Sequence, residues 1–153
     1  RMDELSAVAA ERMLTPTYPS IPAHRHPTKR REILAVDDHE TVGLILKAAL
    51  ERMDNIDVTC ISESLEALDL LEARRFDLLI TDYHMPGLDG MQLATLARQC
   101  YPEMGILMIT AAPTPELREA ITRMGRCHLT RKPFSITGIR EVVASLLAES
   151  CTS

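Results

Sequence analysis

The chain has 153 residues, 46% of them apolar and 3% aromatic, with a formal charge of −5. That length suits one ordinary domain with its own core, no apolar run approaches the roughly 20 residues of a membrane-spanning helix, and the N-terminus lacks the layout of a secretory signal. The charge is uneven: residues 1–31 hold six Lys/Arg against three Asp/Glu, residues 32–153 eleven against nineteen, so the larger part has no basic stripe with which to grip a phosphate backbone. A cytoplasmic protein with no direct contact to nucleic acid or membrane is expected.

Residues 3–14, DELSAVAAERML, fit a short helix with Leu5, Val8, Ala9 and Met13 near one face. The next stretch, TPTYPSIPAHRHPTKR over residues 15–30, holds four prolines and no apolar period, so it reads as an extended linker. His24 and His26 within it, and the cationic Arg25, Lys29, Arg30 and Arg31, are read as solvated linker residues. The expected organisation is an N-terminal helix and linker over residues 1–31, a domain over 32–149 and a tail over 150–153.

From Glu32 onward, short apolar runs alternate with longer amphipathic segments, the layout of a parallel sheet covered by helices. Strands are predicted at residues 33–36, 57–61, 77–81, 105–110 and 127–131. ILAV, DLLIT and GILMIT are almost continuously apolar, as strands buried on both faces must be, so these three are expected in the middle of the sheet. Helical spacing links Val42, Ile45, Leu46, Ala49, Leu50 and Met53, and then Leu65, Leu68 and Leu71. Further helices are predicted at 90–99, at 115–124 with Pro115 in the opening turn and Gly125 at the end, and at 136–148. Right-handed crossovers between five such units give an α/β fold, a doubly wound five-stranded parallel sheet of flavodoxin-like order 2-1-3-4-5 flanked by five helices. The cysteines Cys60, Cys100, Cys127 and Cys151 have no paired spacing and suggest neither zinc nor a disulfide framework.

In such a fold the carboxyl ends of the strands open onto a common crevice. Asp37 and Asp38 follow the first strand, Asp82 the third, Thr110 ends the fourth, and Lys132 with Pro133 the fifth. Singly, each has a plainer role: Asp38 as a helix cap, Asp82 as a turn residue, Thr110 as a strand-end hydroxyl, Lys132 as a surface charge. Together they gather three carboxylates, and a pair about 4 Å apart repels by roughly 4 kcal/mol at an effective dielectric near 20. A cation is therefore expected among them. An all-oxygen donor set favours a hard ion such as Mg2+, which keeps several waters and leaves room for phosphate oxygens.

VDDH at 36–39, LLITDYHMPGLDG at 78–90, MITA at 108–111 and RKPF at 131–134 resemble the motifs of response-regulator receiver domains, the phosphoacceptor modules of two-component signalling. The resemblance spans residues 32–149. It implies that Asp82 is the phosphoacceptor, that Asp38 binds Mg2+ (Mn2+ as a second candidate) directly and Asp37 through water, and that Asp82 and the backbone carbonyl of His84 complete the ligands. It further implies that Thr110, Ala111 and Lys132 contact the phosphoryl group and that the Lys132–Pro133 peptide is cis. The phosphodonor would be a histidine kinase or histidine phosphotransfer protein, and output to a downstream protein or in-chain domain would use residues 115–148. The family's usual aromatic switch residue, three positions before the lysine, is here Leu129, which becomes the candidate switch.

Two other classes compete with that reading. A phosphorylation-independent pseudo-receiver that only binds partners is prompted by Leu129. A phosphatase of the haloacid dehalogenase kind also uses an Asp nucleophile, but needs a second acid where His84 stands. No output domain follows within the chain, so the expected protein is either a stand-alone regulator or the C-terminal part of a hybrid kinase.

Overall fold

A computed structural model describes residues 29–151. Most of the segment expected to form the N-terminal helix and linker, His24 and His26 included, lies outside the described residues. Strand and helix then alternate five times: β1 (Arg31–Val36), α1 (Glu40–Leu50), β2 (Ile56–Ile61), α2 (Ser64–Ala73), β3 (Leu78–Asp82), α3 (Gly90–Cys100), β4 (Gly105–Thr110), α4 (Pro115–Met124), β5 (Cys127–Arg131) and α5 (Ile136–Cys151). The strands are all parallel and lie in the order β2-β1-β3-β4-β5, the flavodoxin-like arrangement expected from the alternation.

The three nearly continuous apolar strands are the three central ones because each feeds two cores. Ile33 and Ala35 of β1 point to one layer, where Leu46 and Leu50 of α1 meet Ile139 and Val143 of α5. Leu34 and Val36 point to the other, among side chains of α2, α3 and α4 such as Leu71, Leu93 and Leu117. Each such aliphatic side chain contributes roughly 1.5–3 kcal/mol by leaving water, so one polar substitution in β1, β3 or β4 strikes one of two independent layers.

Several helix boundaries follow their local chemistry. Asp89 and Gln92 form a reciprocal capping box at the start of α3. Thr114 accepts from the Leu117 amide at the start of α4, with Pro115 in the first turn as predicted, and Gly125 at φ +74° ends that helix.

Other expectations are corrected. Ile45 is 42% exposed and Leu65 60% exposed, not core. In α2 the buried line runs Ser64, Ala67, Leu71, and in α1 it runs Gly43, Leu46, Ala49 and Leu50, so these two apolar residues sit about one residue off the covered stripe. Met53 lies beyond α1, although it still packs on the α1/α5 layer. Asp77 precedes β3 instead of opening it: its carboxylate accepts from the Glu32 amide at 2.7 Å and its amide donates to the Glu32 carbonyl. α5 continues three residues past its expected end, to Cys151.

Candidate functional site

Strand register decides where the functional side chains meet. Val36 is paired with Ile61 on one side and Thr81 on the other, Asp82 with Ile109, and Thr110 with Arg131. The residues that end or follow β1, β3, β4 and β5 therefore emerge side by side at one edge of the sheet. The linking backbone bonds are short: Tyr83 N–H to Ile109 O at 2.8 Å and Lys132 N–H to Thr110 O at 2.8 Å.

Asp37 and Asp82 are both buried, 3% and 5% exposed, and the Lys132 ammonium lies 3.2 Å from a carboxylate oxygen of each. Burial pushes the Asp82 carboxyl above its ordinary range, and the Asp37 charge adds to the shift, which Lys132 only partly offsets. The Lys132 ammonium responds in the opposite sense: burial pulls its pKa down, but Asp37 and Asp82 outweigh this and hold it above the usual lysine value. The bland reading of Lys132 as a surface charge is thereby excluded.

Asp38 does not cap α1. The residue in the capping position is His39, and no side chain caps that helix. One carboxylate oxygen of Asp38, Oδ1, is instead buried with no hydrogen-bond partner. His39 stands beside it, its Nδ1 3.3 Å from both Asp37 Oδ1 and Asp38 Oδ1. Ligand-type atoms of Asp37, Asp38, His39 and Asp82 all lie within 4.8 Å of one another. Three carboxylates against one ammonium leave a charge of about −2 in a half-dry crevice, which a divalent cation would neutralise, and the orphaned Asp38 oxygen is the atom such an ion would satisfy. The residues present thus fit a hard divalent ion.

Thr110 is fully buried, and its hydroxyl accepts from the Ala112 amide at 3.2 Å. Ala111 and Ala112, which follow it, are exposed. The Lys132–Pro133 peptide is cis, as expected. His84 presents its ring outward, edge-on to Tyr83 at 4.7 Å between centroids, so a contribution through its backbone rather than its imidazole is the one its position favours. Leu129 is half-buried on the α2/α3/α4 layer beside Met108 of β4. Sequence reading missed His39 as a neighbour of the carboxylates. Gly90, the last residue of the motif at 78–90, was given no role of its own; a Cβ there would fall 2.3 Å from the Asp82 carbonyl oxygen and 2.7 Å from the Met108 sulfur.

The response regulator receiver domain family matches residues 33–144. The chain belongs to that family. Receiver domains are similar in structure too: that of the Francisella response regulator 1452 is 27% identical with a TM-score of 0.70, covering 79% of this chain and 99% of its own. The receiver domain of an HD-domain-containing protein from Pseudomonas fluorescens Pf-5 is 26% identical with a TM-score of 0.73, covering 83% and 93%. The Vibrio cholerae chemotaxis protein CheY4 is 26% identical with a TM-score of 0.70, covering 77% and 99%. Receiver domains are signalling modules of two-component systems, generally not enzymes, and they bind Mg2+ through acidic residues of the kind clustered here. Among the described residues no helix is long and apolar enough to cross a membrane.

Proposed function

We propose that this receiver domain accepts a phosphoryl group on Asp82, in a Mg2+-dependent reaction, from the phosphohistidine of a histidine kinase or histidine phosphotransfer protein. The observation that carries the reading is the Lys132 ammonium held 3.2 Å from both Asp37 and Asp82, beside a buried Asp38 oxygen that accepts no hydrogen bond and has only the His39 ring near it. Asp38 would hold the ion directly and Asp37 through water, with Asp82 and the His84 carbonyl completing the protein ligands; Mn2+ has the same donor preference. When bound, the ion supplies neutralisation of charge on the transferred phosphoryl oxygens.

The remaining steps belong to the side chains. An Asp82 oxygen attacks phosphorus as the donor's phosphorus–nitrogen bond breaks, with the electron pair returning to the donor imidazole. No general base is needed, since the attacking carboxylate is already an anion, so positioning and electrostatics carry the reaction. Lys132 is the cation within reach of the new oxygens. The Thr110 hydroxyl, which accepts from Ala112, would turn inward and donate to the new phosphoryl oxygens, drawing Ala111 and the loop after β4 with it. Output through residues 115–148, the stretch formed by α4, β5 and most of α5, follows from that movement.

Leu129 sustains a second reading, in which partners bind without phosphorylation. Incubation with acetyl phosphate and Mg2+, read by intact mass, separates the two. The receiver reading predicts one added phosphoryl that disappears with EDTA and in Asp82→Asn; no adduct under any condition favours the pseudo-receiver.

A further inference from the structure

α2 begins with a serine, the residue type that most often caps a helix by turning its hydroxyl back to the helix's own amides. Ser64 does otherwise. The capping position of α2 is Glu63, which makes no side-chain cap bond, and the Ser64 hydroxyl is directed to a segment more than twenty residues away. It donates to the Pro86 carbonyl at 3.0 Å and accepts from the Leu88 amide at 2.9 Å. The side chain is 2% exposed, so both bonds are shielded from competing water. Gly87, between the two bonded residues, has φ +82°, and a Cβ there would sit 3.0 Å from the Ser64 oxygen.

The loop so held, residues 83–89, runs from Asp82 to α3 and carries the His84 carbonyl. Its ends are fixed by the Tyr83 amide on β4 and by the Gly90 amide on the Tyr83 carbonyl. Among the described residues Ser64 is the side chain that hydrogen-bonds the middle of the loop, residues 84–88. Beside this contact a crevice of about 490 Å³, lined by Ser62, Glu63, Ser64, Leu65, Pro86 and Gly87, reaches Asp38. Without the serine strut, the loop could sag into that space.

We infer that Ser64 is a positioning residue for the metal site, setting the height of the His84 carbonyl through its two bonds to the loop and so the affinity for Mg2+. The inference rests on the reading of the site proposed above. It does not make Ser64 a ligand. Groups that orient metal ligands from behind typically affect affinity by roughly 10–100-fold when removed.

The test is calorimetric titration of the full chain with MgCl2, no phosphodonor present, on wild type, Ser64→Ala and Asp38→Asn. The inference predicts a Kd about tenfold weaker in Ser64→Ala, with cooperative unfolding retained. Because the lesion is in binding, Ser64→Ala should also reach the wild-type rate of acetyl phosphate labelling at saturating Mg2+. A Kd within twofold of wild type in folded Ser64→Ala overturns the role of Ser64 alone. Undiminished Mg2+ binding in Asp38→Asn, or none in wild type, overturns the site reading and this inference with it. Should Ser64→Ala not fold, amide exchange on the wild type decides: Leu88 protection is expected to rise with the same Mg2+ midpoint as the site, and a Leu88 amide indifferent to Mg2+ contradicts the inference.

Discussion

At the scale of the residue, the site is an unfavourable charge arrangement tolerated for what it binds. Asp82 is buried beside Asp37, and its carboxyl holds a proton more tightly folded than unfolded. Its ionisation therefore costs stability, and that cost appears as pH rises from its ordinary value of 3.8 through the raised folded value. Asp82→Asn should accordingly stabilise the metal-free protein at pH 7, by on the order of 1 kcal/mol, and lose that advantage near pH 3, where the wild-type carboxyl is protonated in both states. Thermal unfolding at the two pH values, with and without MgCl2, checks this. Magnesium should narrow the difference by stabilising the wild type more than the variant. The residues of this site were legible in the sequence because each terminates or follows a strand, and strand ends are the places where periodicity stops. His39 and Ser64 were not, because what matters about them is distance: one leans on two carboxylates, the other reaches a loop that no spacing rule connects to it.

At the scale of the element, buried strands declared themselves through continuous apolar runs, and helices through their stripes. The stripes were blurred where an apolar residue sits one position off the covered line, as Ile45 and Leu65 do. What sequence could not reveal is how the loops opposite the site are tied down. Arg98 of α3 does much of this: its guanidinium donates to the carbonyls of Tyr101, Pro102 and Met104 in the following loop, and to Gly125 at 2.7 Å and Arg126 at 3.3 Å before β5. Burial lowers its pKa, yet the charge stays because guanidinium groups do not deprotonate in proteins. Arg98→Ala would strand several carbonyls and should cost about 2–3 kcal/mol, measured by urea unfolding. Arg98→Lys should recover little, since an ammonium cannot fan out to five acceptors. The free thiols fit the same picture of local packing. Cys60 donates to the Gly43 carbonyl, and burial pushes the Cys127 thiol up to about 12, where it has no reactivity as a thiolate.

At the scale of the whole molecule, sheet order turns four separated sequence motifs into one crevice. A parallel sheet brings every strand's carboxyl end to the same edge, and the order β2-β1-β3-β4-β5 puts the Asp37–Asp38 pair next to Asp82, with Thr110 and Lys132 on the two strands beyond. The fold was readable because helix and strand alternate strictly; the size of the signal is not, since it depends on the energy difference between two states, about 5.5 kcal/mol for a full reversal from 1:99 to 99:1. Leu129 is half-buried on the α2/α3/α4 layer, so under the proposed function a signal from Thr110 to α4 and β5 would pass through an aliphatic side chain there. All of this depends on Asp82 being the atom donor to phosphorus. The most direct measurement is chemical: phosphorylate the protein with acetyl phosphate and Mg2+, reduce the acyl phosphate with borohydride, and map the peptides by mass. Homoserine at position 82, formed only when Mg2+ is present, is the predicted result; homoserine at Asp37 or Asp38, or at no position, would contradict the account.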